Sequence, residues 1–115
     1  MGPVHNGTFY DRYSLETLQH WAETEFFYEG RIHPSVALKV TRLHPPFSCG
    51  AQITWIWTHP SNKVRHEGRH SIACEDEWAF YTIFKQTARI MADECRRYLA
   101  QASRDFYDPF SGFDL

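Results

Sequence analysis

Histidine and cysteine are the residues of this chain with the most versatile chemistry. The sequence contains seven histidines and three cysteines. His66 and His70 are four residues apart, a spacing at which two imidazoles on a helix can share a metal ion. On a strand the same side chains point to one side but lie about 13 Å apart, too far for one ion. Because their neighbours alternate as in a strand and no third ligand is evident, we expect no metal and interpret His66 as a partly buried core histidine.

The three cysteines, Cys49, Cys74 and Cys95, are widely spaced and form no CxxC pair. This spacing argues against zinc knuckles and thioredoxin-type motifs and favours reduced thiols in a cytoplasmic protein. Cys74 precedes a predicted helix, whose N-terminus can lower a thiol pKa. The sequence nevertheless has no nucleophile elbow, phosphate-binding glycine loop or HExxH motif. We therefore expect no catalysis and no cofactor, and an enzyme with an unrecognised Cys or His centre is the third hypothesis for function.

Charge is distributed unevenly along the chain. The formal net charge is −2 over 115 residues. Residues 31–74 contain six basic residues and a single acid, Glu67, which gives a net charge of +5. The remainder contains six basic and thirteen acidic residues, a net charge of −7. Such a split indicates one surface that attracts acidic groups. No apolar run is long enough for a signal peptide or a membrane span, so we expect no membrane partner.

The first element that must position these residues is a helix predicted over 14–29. Ser14 is a suitable N-cap, because its hydroxyl can accept a hydrogen bond from an otherwise unpaired amide of the first turn. Apolar residues then recur at helical spacing, at Leu15, Leu18, Ala22 and Phe26. Gly30 is predicted to end the helix, since glycine adopts the left-handed conformation at little cost.

Three alternating segments predict strands over 36–43, 50–58 and 63–73. A type I turn at 59–62 would join the second strand to the third. A rival interpretation places a hairpin turn at residues 67–68 and shortens the strands.

Strand pairing follows from where the turn lies. With the turn at 59–62, three pairs lie on one face of the sheet: Trp57 opposite Val64, Trp55 opposite His66 and Ile53 opposite Gly68. Thr54 lies opposite Glu67 on the other face. The first strand pairs through Val40 with Ile53, Leu38 with Trp55 and Val36 with Trp57. All the apolar positions then fall on one face, as a buried face requires. Gly68 leaves room there for a bulky neighbour or marks a bulge.

A second, longer helix is predicted to open at the acidic residues 75–77 and to end near residue 103. Its expected apolar stripe is Trp78, Tyr81, Phe84, Ala88, Met91, Cys95, Leu99 and Ala102, widened at its start by Phe80 and Ile83. The fold class is therefore α+β, a two-layer α-β-β-β-α arrangement in which both helices cover one face of a three-stranded antiparallel meander. The chain is predicted to form a single domain over 1–115, with an N-terminal arm at 1–13, a core at 14–103 and a tail at 104–115.

The other face of the sheet is predicted to stay open and basic. Its candidate partner- or anion-binding residues are Lys39, Lys63, Arg65, Arg69 and Thr54. The element order is that of double-stranded-RNA-binding domains, but the resemblance is limited to topology. That family places lysines at the start of its second helix to contact phosphates, whereas residues 75–77 here are all acidic. An ordinary solvated sheet face is the alternative interpretation of the basic residues.

The aromatic, acidic tail is a second candidate binding element. Its expected anchors are Phe106, Tyr107, Phe110 and Phe113. The tail either docks on a partner or folds back over the core. The edge of strand 36–43 contains no proline and offers a route to dimerisation.

These features favour a small non-enzymatic binding protein that docks on a protein partner. Its size and opposed charges are typical of regulatory or inhibitory proteins of phages and mobile elements. The alternative function is sequence-nonspecific nucleic-acid binding by the basic sheet face, which would contact phosphates without reading bases.

Overall fold

The computed structural model describes residues 14–43 and 49–106. It has an α+β fold that begins with helix α1 at Leu15–Glu23 and its π-helical extension at Thr24–Glu29. Three strands follow: β1 at Ala37–Arg42, β2 at Cys49–Thr58 and β3 at Arg65–Cys74. Helix α2 at Glu77–Phe106 is the last element. The predicted arm at 1–13 and most of the predicted tail lie outside the described residues.

Helix α1 begins as the sequence predicts, because the Ser14 hydroxyl accepts a hydrogen bond from the Thr17 amide at 3.1 Å. The helical segment ends at Glu29, as predicted, but the backbone conformation of the stop differs from the prediction. Gly30 has a right-handed backbone conformation, with φ −82°, and Arg31 is the residue with positive φ, 58°. A Cβ on Gly30 would collide with the Cβ of Ala92 on α2. Glycine is needed here so that the two helices can approach closely.

The sheet is an antiparallel meander with the strand order β1-β2-β3. The predicted pairing of the first two strands is confirmed, since Val40 lies opposite Ile53 and Leu38 lies opposite Trp55. Strand β3 runs unbroken from Arg65 to Cys74, so the rival turn at residues 67–68 is wrong.

The predicted register of β2 with β3 is wrong by two residues. Trp57 lies opposite His66, Trp55 opposite Gly68 and Thr54 opposite Arg69. The connection spans residues 59–64 rather than 59–62. The Lys63 amide bonds to the His59 carbonyl at 3.0 Å, and Lys63 adopts a φ of 62°. Because the shift is even, every side chain keeps its predicted face.

The space beside Trp55 explains why a glycine stands opposite it. A Cβ on Gly68 would collide with the Trp55 indole, so the expectation that Gly68 makes room for a bulky neighbour is confirmed. The predicted position of His66 opposite Trp55 is wrong. Trp55 meets the Tyr98 ring edge-on at 5.6 Å, and His66 lies against Trp57, with ring centroids 5.5 Å apart.

Helix α2 begins where Asp76 accepts a hydrogen bond from the Ala79 amide at 3.2 Å and continues three residues beyond the predicted end at 103. Most of the predicted stripe is buried, but Trp78 is 76% exposed and Ile83 is 41% exposed. Each residue turns a helix by about 100°, so Trp78 lies on nearly the opposite side from the buried Phe80. These two positions were therefore wrongly assigned to the buried stripe.

Both helices pack on the same face of the sheet, α1 against β1 and α2 against β3 and β2. The core between the layers includes Leu18, Phe26, Ile53, Trp55, Phe84 and Met91. Among the described residues, neither helix combines the length and the apolar character that crossing a membrane requires.

Candidate functional site: the open face of the sheet

The side of the sheet away from the helices carries a shallow concavity of about 200 Å³. It is lined by Lys39, Thr41, Gln52, Thr54, Ile56, Arg65, Glu67 and Arg69. These residues alternate with the buried positions of their strands, and neither helix covers them. We call this surface the open face.

Strand register arranges the open face in cross-strand rows. Lys39, Thr54 and Arg69 lie side by side in one row across the three strands. Ile56 lies opposite Glu67 in the next row. Directly opposed residues on one face have Cβ atoms roughly 5 Å apart, so the two members of each opposed pair can contact the same ligand group.

A single carboxylate organises the two guanidinium groups. Glu67 lies 3.3 Å from Arg65 and 3.5 Å from Arg69, one on each side of it along β3. All three side chains are substantially exposed, so these ion pairs contribute little to stability. Their geometric effect is to orient both guanidinium groups toward the carboxylate of Glu67. The open face thus presents three cations and one anion around the apolar side chain of Ile56.

The remaining predicted site residues lie elsewhere. Lys63 is in the turn between β2 and β3 and does not line the concavity. Phe106 is the last residue of α2, but its side chain lies outside the described part. The other predicted tail anchors, Tyr107, Phe110 and Phe113, also lie outside it.

The two histidines of β3 face the helix layer and not the open face. His66 Nδ1 lies 2.8 Å from the Tyr98 hydroxyl, and His70 Nε2 lies 2.9 Å from a Glu94 carboxylate oxygen. They connect β3 to successive turns of α2. Within the described residues, no group of three or more His, Cys, Asp or Glu side chains is placed to hold a metal ion.

Burial affects the thiols of both Cys74 and Cys95. Burial raises the pKa of the Cys95 thiol to about 12. Burial, with the Asp76 carboxylate as a smaller contribution, also raises the pKa of the Cys74 thiol. Nucleophilic cysteines have lowered pKa values, whereas the pKa values of Cys74 and Cys95 are both raised.

A larger groove of about 590 Å³ lies beside the π-helical segment. Phe27, Tyr28, Ile32 and Pro34 form its apolar part. This groove offers shape and apolar area, but it lacks the row of charged groups that would orient a macromolecular partner.

Gln19 is the structural residue that sequence reasoning missed. Its side-chain amide donates to the Leu38 carbonyl at 2.8 Å, and its carbonyl accepts from the Val40 amide at 2.9 Å. These contacts span about twenty residues of sequence, so no local pattern could reveal them. In contrast, strand alternation alone predicts that the side chains of Gln52 and Thr41 lie on the open face.

No protein-family model, curated protein or solved structure matches the chain. The geometry of the open face therefore carries the functional argument.

Proposed function

We propose that the protein is a small non-enzymatic binding protein, regulatory or inhibitory in its action, that docks through the open face on an acidic surface of a protein partner. The observation that carries the proposal is the cross-strand row of Lys39, Thr54 and Arg69 beside Ile56, left uncovered by both helices. An apolar centre with a polar and charged rim is the usual anatomy of a protein interface.

Glu67 favours a protein over a nucleic acid as the partner. It already engages both arginines of β3, and its negative charge would repel a phosphate in the same place. A protein surface can offer a hydroxyl or a lysine to Glu67 and carboxylates to its neighbours. The basic character of the open face thus suits a mixed charge pattern better than a continuous phosphate backbone.

The free thiols of Cys74 and Cys95 support a reducing compartment. We therefore propose the cytoplasm as the place where this binding occurs.

The proposal is tested by photo-crosslinking from the centre of the open face. A photoreactive amino acid at Ile56 should capture the partner in extracts of the native host, while the same group at Ile90, an exposed position on α2, should not. The captured protein is then purified and its affinity is measured by calorimetry.

Charge reversal then identifies the surface. Arg69→Glu should weaken binding of the captured partner at least tenfold, which corresponds to about 1.4 kcal/mol. Arg97→Glu makes the same charge change on α2, where Arg97 is 79% exposed, and should leave the affinity within about twofold. Equal losses in both variants would contradict docking on the open face.

Nucleic-acid binding is the competing function, and the same surface tests it. The double variant Arg65→Glu/Arg69→Glu should then abolish a mobility shift of duplex or single-stranded probes and flatten its salt dependence. If the native protein shifts no probe at low salt, the nucleic-acid hypothesis is wrong.

A further inference from the structure

The two outer edges of the sheet are not equivalent. In an antiparallel edge strand, alternate residues direct their backbone N–H and C=O groups away from the sheet. On β1 these include Leu38 and Val40, and Gln19 of α1 bonds to both. The Gln19 side-chain amide thereby occupies the position that a residue of a neighbouring strand would take opposite Lys39. The centre of the β1 edge is closed to an additional strand.

The corresponding groups of β3 can be located from the register. Since Leu38 and Val40 face outward, Lys39 faces β2, and the alternation continues across the sheet to β3. The bond from the His59 amide to the Val64 carbonyl agrees with this alternation. The backbone groups of Arg65, Glu67 and Arg69 therefore point outward. In the described part of the chain, no side chain bonds to them as Gln19 does to β1.

The same three residues of β3 also have their side chains on the open face. Arg65, Glu67 and Arg69 direct their backbone groups away from the sheet edge and their side chains away from the helices. Residues of an added strand placed opposite Arg65, Glu67 and Arg69 would have their own side chains on that same face. Carboxylates opposite the two arginines would be four residues apart. A hydroxyl or a cation would suit the position between them, opposite Glu67.

We propose that the β3 edge accepts an extended segment of the partner by strand addition, and that this segment carries acidic residues at positions i and i+4 and a hydroxyl-bearing or basic residue at i+2. Backbone hydrogen bonds supply affinity in this mode of recognition, and alternate side chains supply specificity. This inference rests on the proposed function, because it identifies which part of the partner meets the open face.

The probe for the test is the capped peptide Val-Glu-Val-Thr-Val-Glu-Val, with binding to the full chain followed by fluorescence anisotropy. It should bind in preference to the peptide in which both Glu are replaced by Lys. Methylation of the backbone nitrogen of its Thr should weaken binding about tenfold, the effect of one lost backbone hydrogen bond.

A matched pair of protein variants separates the edge from the face. Glu67→Pro removes one outward N–H, a change that an edge strand tolerates, and should also weaken binding about tenfold. Glu67→Ala removes the same carboxylate but keeps the N–H, so it is the reference for the proline variant, which should bind about tenfold more weakly than Glu67→Ala. The methylated peptide tests the same bond on the native chain if the proline variant does not fold.

The outcomes distinguish strand addition from the proposed function. If Arg69→Glu abolishes peptide binding but the methylated peptide and Glu67→Pro bind normally, the acidic ligand lies on the open face and strand addition is overturned. If the Lys peptide binds as well as the Glu peptide and Arg69→Glu has no effect, docking of an acidic partner is overturned as well.

Amide hydrogen exchange of the full chain identifies any other occupant of the edge. The amides of Glu67 and Arg69 should exchange fast in the unbound protein and slowly with the peptide, while those of Gly68 and His70 stay protected. Protection of Glu67 and Arg69 without peptide at every protein concentration would assign the edge to another segment of this chain. Protection that grows with protein concentration would assign it to a second copy. Either result overturns the proposal.

Discussion

Trp55 and Trp78 are the same residue type in opposite environments. Trp55 is 3% exposed between the sheet and α2, whereas Trp78 is 76% exposed on the first turn of α2. Strand alternation predicted the first environment, because a sheet face is uniformly buried or open. Helical spacing did not predict the second, because a position beside the apolar stripe can fall on either side of its boundary.

The two tryptophans provide a stability test at the residue scale. Trp55→Ala should lower the free energy of unfolding by about 3–5 kcal/mol, because it leaves a large cavity in the core. Trp78→Ala should change it by less than about 0.5 kcal/mol, since an exposed side chain loses few contacts. Urea denaturation followed by circular dichroism measures both. Similar losses for the two variants would contradict the packing described.

Cys95 provides a pH test at the same scale. Burial raises the pKa of its thiol to about 12 in the folded protein, against about 8.5 in an unfolded chain. Between these values the unfolded state has lost the proton and the folded state retains it. The free energy of unfolding should therefore fall as pH rises above about 9, by up to about 1.4 kcal/mol per pH unit from this group.

The measurement compares the native protein with Cys95→Ala. Above about pH 9 the stability of the native protein should decline more steeply with pH than that of the variant, and below about pH 8 the two slopes should agree. Equal slopes over the whole range would show that the buried thiol does not keep its proton.

At the scale of elements, the connection between β2 and β3 decided the register. Alternation placed each side chain on a face, but the position of Glu67 depended on a turn whose length is set by Lys63 in a left-handed conformation. A non-glycine residue with positive φ is uncommon, and the local sequence offered no reason to expect one. The shift placed Thr54 beside Arg69 and so assembled the row of the open face.

Gln19 is the element-scale contact with the clearest expected effect. Gln19→Met keeps the side-chain length but removes both bonds to the β1 edge, and should cost about 1–3 kcal/mol of stability. It should also promote self-association, because an uncovered strand edge pairs readily with another. Light scattering would detect the larger species.

A matched control distinguishes the loss of the bonds from Gln19 to β1 from the loss of a bond on the surface of α1. Glu23→Ala removes only the third bond of Gln19, to Glu23 Oε2 at 2.9 Å on α1. It should leave the mass monomeric and the stability within about 0.5 kcal/mol. A monomeric Gln19→Met variant of native stability would show that Gln19 does not protect the edge.

At the scale of the whole molecule, the charge division of the sequence corresponds to the two layers. The net positive segment 31–74 contains the entire sheet, and both helices lie in the net negative remainder. Two cations of α2 form ion pairs with Glu25 in the π-helical extension of α1. Glu25, only 14% exposed, lies 3.0 Å from Arg89 and 3.8 Å from Lys85. These ion pairs link the two helices to each other, in addition to the packing of each helix on the sheet.

This connectivity predicts a single cooperative unfolding transition. The four tryptophans are distributed over both helices and β2, so their fluorescence reports on both layers. Fluorescence and far-ultraviolet circular dichroism should give the same urea midpoint and slope. Loss of helical signal before the fluorescence change would show that α1 unfolds separately from the sheet.

The sequence by itself determined the α+β class, the order of elements, the N-cap at Ser14 and the face on which each strand residue lies. Those properties depend on local periodicity and capping, which neighbouring residues express directly. Only the tertiary structure decided the register of β3, the exposure of Trp78, the crowding that requires Gly30 and the closure of one sheet edge by Gln19. Each of these depends on contacts between residues distant in sequence or on one unusual backbone angle, and neither produces a local pattern.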